Sequence, residues 1–251
     1  YITIEIVRRT DEADVFYESP FALYDLIKDG AIYSLDPFLG EDKSFDIADF
    51  YPGVLDLFTY EGKTWAIPAG AEALVMYYNQ DLFDRYGVPY PAVGWTWDDF
   101  LNAAMALRDS NAGVYGYAPV QQFLDIIPFI FQHGGRLADD FNNPTRPTFD
   151  DPLTIEAVAW YAALMYEHNV APTNTQMVGE FSNSPQAAVY SNKVGMWSGW
   201  FSERGGRSVG GLQDSTWPAE WKMRWGMAPL PRDARPATLA FVGGYFISTR
   251  A

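Results

Sequence analysis

The sequence predicts an α/β protein with largely parallel sheets, and three observations lead there. Strand-type and helix-type patterns alternate from one end of the chain to the other. The composition, 48% hydrophobic and 20% charged, is that of a packed globular protein and not of a disordered one. At 251 residues the chain is long enough for about two domains. No apolar run reaches the ~18 residues that a membrane-spanning helix needs.

The elements follow in order. Residues 2–7 alternate β-branched and polar side chains and read as a strand, as do 14–17. Ser19 and Pro20 suit the N-cap and first position of a helix with Phe21, Leu23, Tyr24 and Ile27 on its apolar face, ended by Gly30. Residues 32–38 read as an extended return. A turn at Glu61 and Gly62 precedes a short strand at 63–68, and 73–78 form an apolar strand. Thr96 and Asp99 have capping-box spacing, with Asp in place of the usual Glu, ahead of Phe100, Leu101, Ala104 and Leu107 at helical intervals. A strand at 115–119 leads into an apolar helix at 123–132, kinked at Pro128 and stopped by Gly134 and Gly135. Residues 154–168 predict an amphipathic helix with Ile155, Val158, Tyr161, Ala162 and Met165 on one side. Ser184 and Pro185 open a helix running to Asn192, and strands follow at 195–199, 224–230 and 239–247. Segments 40–53, 142–152 and 202–220 read as loops.

One junction is too short. If 2–7 and 14–17 are parallel neighbours, their connection needs a dozen or more residues. Residues 8–13 do not supply them, so a segment is expected to be missing between Arg9 and Asp14.

Charge and composition exclude several function classes. Seventeen Lys and Arg against 32 Asp and Glu leave a net charge of −15, which repels phosphate backbones and anionic lipid. The absence of cysteine removes disulfides, thiolate metal sites and Cys nucleophiles. Two histidines, His133 and His168, supply His-based zinc or Ser-His-Asp chemistry poorly, and both read as structural. The outlying quantity is aromatic content, 17% with 9 Trp and 16 Tyr, more rings than a core alone calls for. No charged start with a following apolar stretch marks a signal peptide, so an exported form is expected to have lost its leader.

The order of landmarks resembles the bacterial extracellular solute-binding proteins of ABC importers, family 1, the group that includes maltose-binding protein. Asp14-Val-Phe-Tyr-Glu-Ser19 followed by a helix and Gly30-Ala-Ile-Tyr-Ser-Leu-Asp36 is similar to the segment after that family's second strand. Phe50-Tyr-Pro-Gly53 and Tyr60-Glu-Gly-Lys-Thr-Trp-Ala-Ile-Pro68 resemble its third. The run from Ala69 to Phe83 is similar to the first crossover between domains, and Thr96-Trp-Asp-Asp-Phe100 to the helix after it. Ala187 and Ala188, then Gly195-Met-Trp-Ser-Gly-Trp200, resemble a small-residue helix and the strand leading to a sugar-stacking ring. Trp225-Gly-Met-Ala-Pro-Leu-Pro231 and Phe241-Val-Gly-Gly-Tyr245 resemble the return crossover. Family members usually continue past the position of Ala251, so further pocket loops are expected beyond it.

The resemblance implies a two-lobed periplasmic-binding-protein-like fold of type II, each lobe a mostly parallel sheet flanked by helices. Residues 1–77 would begin the N-terminal lobe, 78–230 form the C-terminal lobe, and 231–251 return to the first. It implies a non-catalytic protein that captures a mono- or oligosaccharide in a cleft and hands it to an ABC importer permease. The expected location is extracellular or periplasmic, with a lipid anchor allowed. The expected state is a monomer with no cofactor, no metal and no nucleic-acid partner. Neutral sugars want flat apolar faces for their C–H surfaces and planar polar groups for their hydroxyls, and this chain is rich in both.

The candidate ligand-binding residues are Glu18, Ser19, Glu72, Gln121, Gln122, Trp200 and Tyr245. Each has a plainer alternative. Glu18 and Ser19 follow a strand end, where Ser19 could be only an N-cap. Glu72 lies where the family places a sugar-contacting carboxylate, and could be a solvated acid. Gln121 and Gln122 follow the strand at 115–119 and could merely open a helix; Asp125, one turn on, could share their task. Trp200 is the expected stacking platform, Trp197 a core residue, and Phe201 the substitute if the register is off by one. Tyr245 follows paired glycines, which in a strand suggest close backbone approach. Trp65 and Trp97 read as packing residues, and Arg8 and Arg9 could reach a ligand. The rival reading is a glycoside hydrolase with Glu18 and Glu72 as paired carboxylates; a binding protein for a non-sugar solute is the third.

Overall fold

The computed structural model describes residues 13–39, 46–51, 53–119, 122–140, 144–201 and 223–250. The strand expected at 2–7, Arg8, Arg9, Gln121 and the loop at 202–220 lie outside the described residues.

The chain forms two compact units, one from residues up to Glu72 together with those from Ala240 onward, the other Ala73–Leu239. In the first unit, β1 (Val15–Glu18) is followed by a short 3-10 turn, Pro20–Ala22, and the helix Leu23–Lys28. A hairpin of β2 (Thr59–Tyr60) and β3 (Lys63–Thr64) precedes β4 (Ile67–Asn79). In the second unit come the helices Gln80–Tyr86 and Trp97–Leu107, β5 (Tyr115–Ala118), the 3-10 turn Gln122–Asp125, and the helices Ile126–His133, Pro152–Tyr166, Asn174–Phe181 and Pro185–Tyr190. Then follow β6 (Val194–Trp200), β7 (Trp225–Ala228) and, back in the first unit, β8 (Ala240–Ile247).

In the first unit β8 lies between β1 and β4, with Leu23, Leu26, Ile32, Phe58, Val242 and Phe246 in its core. In the second unit β4 is flanked by β6 and β7, and β6 pairs on with β5. Successive residues of β4 serve opposite faces of the sheet. Leu74, Met76 and Tyr78 enter one apolar cluster, and Tyr77 enters another. A strand covered on both faces reads as a continuous apolar run, which is why 73–78 shows no polar alternation.

Local signals place several elements as expected. Thr96 Oγ1 accepts from the Asp99 amide and Asp99 Oδ2 from the Thr96 amide, a complete capping box on Trp97–Leu107. Ser184 Oγ accepts from the Ala187 amide.

Four expectations need correction. Among the described residues the sheets are mixed, and the ladders of described register are more often antiparallel than parallel. The β5–β6 ladder is parallel, whereas β1–β8, β4–β6 and β4–β7 are antiparallel. The strands expected at 63–68 and 73–78 are not two separate elements of that extent, because β4 runs unbroken from Ile67 through Pro68 and Gly70 to Asn79. Residues 32–38 are not extended throughout. Ile32 bridges Ser248, and Asp36–Leu39 then turn helically, with Asp36 Oδ1 accepting the Thr64 amide at 3.0 Å.

The fourth concerns Pro152–Tyr166. This helix buries Thr154, Ala157, Tyr161 and Leu164, while Ile155 is 54% and Val158 40% exposed. Its packed face keeps Tyr161, with Met165 partly buried beside it, but takes Thr154, Ala157 and Leu164 in place of Ile155 and Val158. The helix is apolar on nearly every side, so periodicity cannot choose a face. Thr154 chooses it: its hydroxyl donates to the Arg136 carbonyl at 3.0 Å and accepts the Arg136 amide at 3.1 Å.

Candidate functional site

In the second unit the parallel pair β5 and β6 aligns Ala118 with Trp197, so both strands reach their carboxyl ends on the same edge. That edge is where open α/β sheets take ligands. Beyond β5 comes the turn Gln122–Asp125, and β6 ends on Trp200. Trp200 is half-buried, packed against the larger apolar cluster of the unit. Its main-chain carbonyl accepts the Tyr77 hydroxyl at 2.8 Å. Trp197 is a core residue as expected, 2% exposed, stacked on Tyr77 with ring centroids 5.8 Å apart. Phe201, the next ring along, is exposed and borders an apolar recess of about 610 Å³ with Leu74, Met227, Pro229, Leu230 and Pro236.

Asp125 departs from its expected part in ligand contact. It is 1% exposed, and the Ser198 hydroxyl donates to its Oδ1. Burial first, and then the nearby Asp125 charge, raise the Tyr117 hydroxyl well above the ordinary phenol range.

In the first unit Glu18 stands opposite Gly244 and Tyr17 opposite Tyr245. The two tyrosine rings meet edge to face at 5.6 Å, and each is 51% exposed. A Cβ on Gly243 would overlap the Tyr17 phenol, and one on Gly244 would stand 2.9 Å from Phe58 Cζ. Close approach is therefore what the paired glycines permit. Glu18 Oε1 accepts the Ser19 amide at 2.7 Å. Ser19 holds the N-cap position of Pro20–Ala22 with extended backbone, but its hydroxyl makes no capping bond. Glu72 lies within β4, partly exposed.

In the first unit the register puts Tyr245 beside Tyr17 and sets Glu18, followed by Ser19, at the neighbouring position opposite Gly244, on the other face of the ladder. It sets Trp200 and the turn opened by Gln122 on one edge of the second. His133 sits against Trp97, ring centroids 5.4 Å apart, between Asp233 and Glu156. Glu156, and then Asp233, raise its pKa above the ordinary imidazole value. Sequence reasoning missed Gln132, fully buried, which accepts from Trp97 Nε1 at 2.7 Å and donates to the Ala237 carbonyl at 2.8 Å. Among the described residues no group of three or more His, Asp or Glu could hold a metal ion, and no helix is long and apolar enough to cross a membrane.

The sequence profile of the bacterial extracellular solute-binding proteins matches residues 4–247. This chain belongs to that family. Among relatives of this solute-binding protein is the arabinooligosaccharide-binding protein of Halalkalibacterium halodurans, 28% identical over 50% of this chain and 27% of its own length. Another is the mannitol-binding protein of Pseudomonas aeruginosa, 29% identical over 46% of this chain and 26% of its own. Among solved structures, an ABC substrate-binding protein from Listeria monocytogenes in complex with cycloalternan superposes with a TM-score of 0.82 at 23% identity. That match covers 100% of this chain and 61% of the other. The chain therefore spans less than two thirds of each of these proteins. The fold is that of the type II periplasmic binding proteins.

Proposed function

We propose that this solute-binding protein captures an uncharged sugar or polyol, leaves it chemically unaltered, and presents it to an ABC importer at the cell exterior. The observation that carries the reading is Trp200. It is a half-buried indole at the carboxyl end of a strand in a parallel pair, on a chain whose relatives are named for an arabinooligosaccharide and for mannitol. A partly exposed indole presents an apolar face to the C–H surface of a sugar ring. On this reading Gln121 and Gln122 offer amides that both donate and accept toward hydroxyls. Glu18, Ser19, Glu72 and Tyr245 are the contribution of the first unit. Binding would favour the conformation with higher affinity for the ligand by the difference in affinity between conformations.

The test is a thermal-shift and calorimetric screen of the purified chain against arabino-oligosaccharides, mannitol and cycloalternan, with chromatography of each sugar afterwards. A ligand-dependent rise in melting temperature with intact sugar recovered is the expected result. No shift with any of the three, or cleaved sugar, overturns the reading.

A further inference from the structure

The buried pair Asp125 and Ser198 joins two elements at the strand edge that carries Trp200. Both residues are almost wholly inaccessible, 1% and 2% exposed, and are joined through the Ser198 hydroxyl and Asp125 Oδ1. The hydroxyls of Tyr117 and Tyr161 lie 3.3 Å apart in the same interior, and the Asp125 charge raises the pKa of both phenols, after burial in Tyr117 and after burial and Tyr117 in Tyr161. Burying a carboxylate is unfavourable unless it is hydrogen-bonded, and apolar residues of similar volume often replace buried charges at no loss of stability.

The position of the pair gives the reason. Asp125 closes the turn Gln122–Asp125, the next described element after β5, and is the N-cap of the helix Ile126–His133. Ser198 lies on β6 opposite Met76, just before the strand ends at Trp200. Their bond joins the segment beyond one parallel strand to the end of its neighbour.

We propose that Asp125 is a positioning residue of the sugar or polyol site, clamping the turn after β5 to the end of β6 so that the turn and Trp200 meet the ligand as one rigid surface. The proposal rests on the sugar-binding reading for its ligand, but the clamp has consequences without one.

The experiment compares the parent with Asp125→Ala, Ser198→Ala, Ser198→Thr and the double alanine variant, at a temperature where circular dichroism finds each one folded. Titration calorimetry with mannitol and an arabino-oligosaccharide gives affinities, and hydrogen exchange without sugar reads the amides of 122–125 and 198–201. Ser198→Ala and Asp125→Ala are each expected to weaken binding about tenfold or more, the double variant no further than the single ones, and Ser198→Thr to restore it. Exchange should rise at both segments in Ser198→Ala, with the helix Pro152–Tyr166 unchanged, a pattern that general destabilisation does not produce. Should Asp125→Ala fail to fold, Ser198→Ala decides alone. A folded Ser198→Ala with parental affinity and parental exchange at 198–201 overturns the clamp. If the parent binds neither probe while the exchange pattern holds, the clamp stands and the sugar reading fails.

Discussion

The Tyr77 hydroxyl reaches past its own strand to the main-chain carbonyl of Trp200, 2.8 Å away, while its ring stacks on Trp197. Tyr77 is paired with Trp197 in the β4–β6 ladder, so one fully buried side chain fixes β6 at Trp197 and at its final residue, Trp200. The end of a strand is where a ladder frays most readily, and a buried phenol holding that carbonyl removes the freedom. Tyr77→Phe keeps the stacked ring and removes the donor. The expected cost is about 1 kcal/mol of unfolding free energy, seen as a lower urea midpoint at unchanged slope.

Trp200→Ala separates binding from folding. The indole is only half-buried and stands at the strand's end, so its truncation should lower the melting temperature less than removal of the enclosed Trp197 would. If Trp200 is the stacking platform, the variant stays folded and loses most of the thermal shift given by mannitol or an arabino-oligosaccharide. A Trp200→Ala protein that shifts as far as its parent overturns the stacking assignment.

Much of the architecture was legible because its determinants are local. Thr96 with Asp99 and Ser184 with Ala187 form their caps within a few residues. The β-branched and aromatic runs declared their strands in order. What was not legible depends on partners distant in sequence. The packed side of Pro152–Tyr166 is chosen by the Arg136 carbonyl, and periodicity in a helix that is apolar on nearly every side is silent about that. The unbroken β4 overrides the break that Pro68 and Gly70 suggest. For the site, Trp200 and the Gln122 turn could be placed on one strand edge from the order of elements alone. The burial of Asp125 could not, since its hydroxyl donor lies far along the chain on β6. The roles of Gln132 and His133 were hidden for the same reason, their partners coming from residues 233–237.

Gly116 and Gly195 explain how closely the helix Trp97–Leu107 lies on β5 and β6. A Cβ at Gly116 would run into the main chain of Ala104, and one at Gly195 would stand 2.7 Å from Leu107 Cδ1 and 3.0 Å from the Gly116 carbonyl oxygen. Backbone cannot yield as a flexible side chain does. Gly116→Ala is expected to cost about 3 kcal/mol or more, with Gly195→Ala milder because Leu107 can change rotamer. Equal midpoints for Gly116→Ala and the parent in urea would show that the helix can lift without penalty.

His133 should make stability depend on pH, with a definite sign. Its Nδ1 lies 2.5 Å from Asp233 and its Nε2 3.0 Å from Glu156, and these two, Glu156 the stronger, raise its folded pKa above the ordinary value. The cations flanking Asp233 are turned to main-chain carbonyls, Arg232 to Gly94 and Arg235 to Phe131. A group whose pKa is raised by folding binds its proton more tightly in the folded state. Its contribution is therefore complete below the unfolded value of about 6.5 and is lost as the pH climbs through the higher folded value. His133→Gln also loses the ring on Trp97, but that loss does not vary with pH. The difference in melting temperature between parent and His133→Gln should accordingly be largest near pH 6 and shrink toward pH 9. A difference that is flat, or that grows with pH, would mean that the imidazolium does not bridge the helix Pro152–Tyr166 to the strap that carries Asp233.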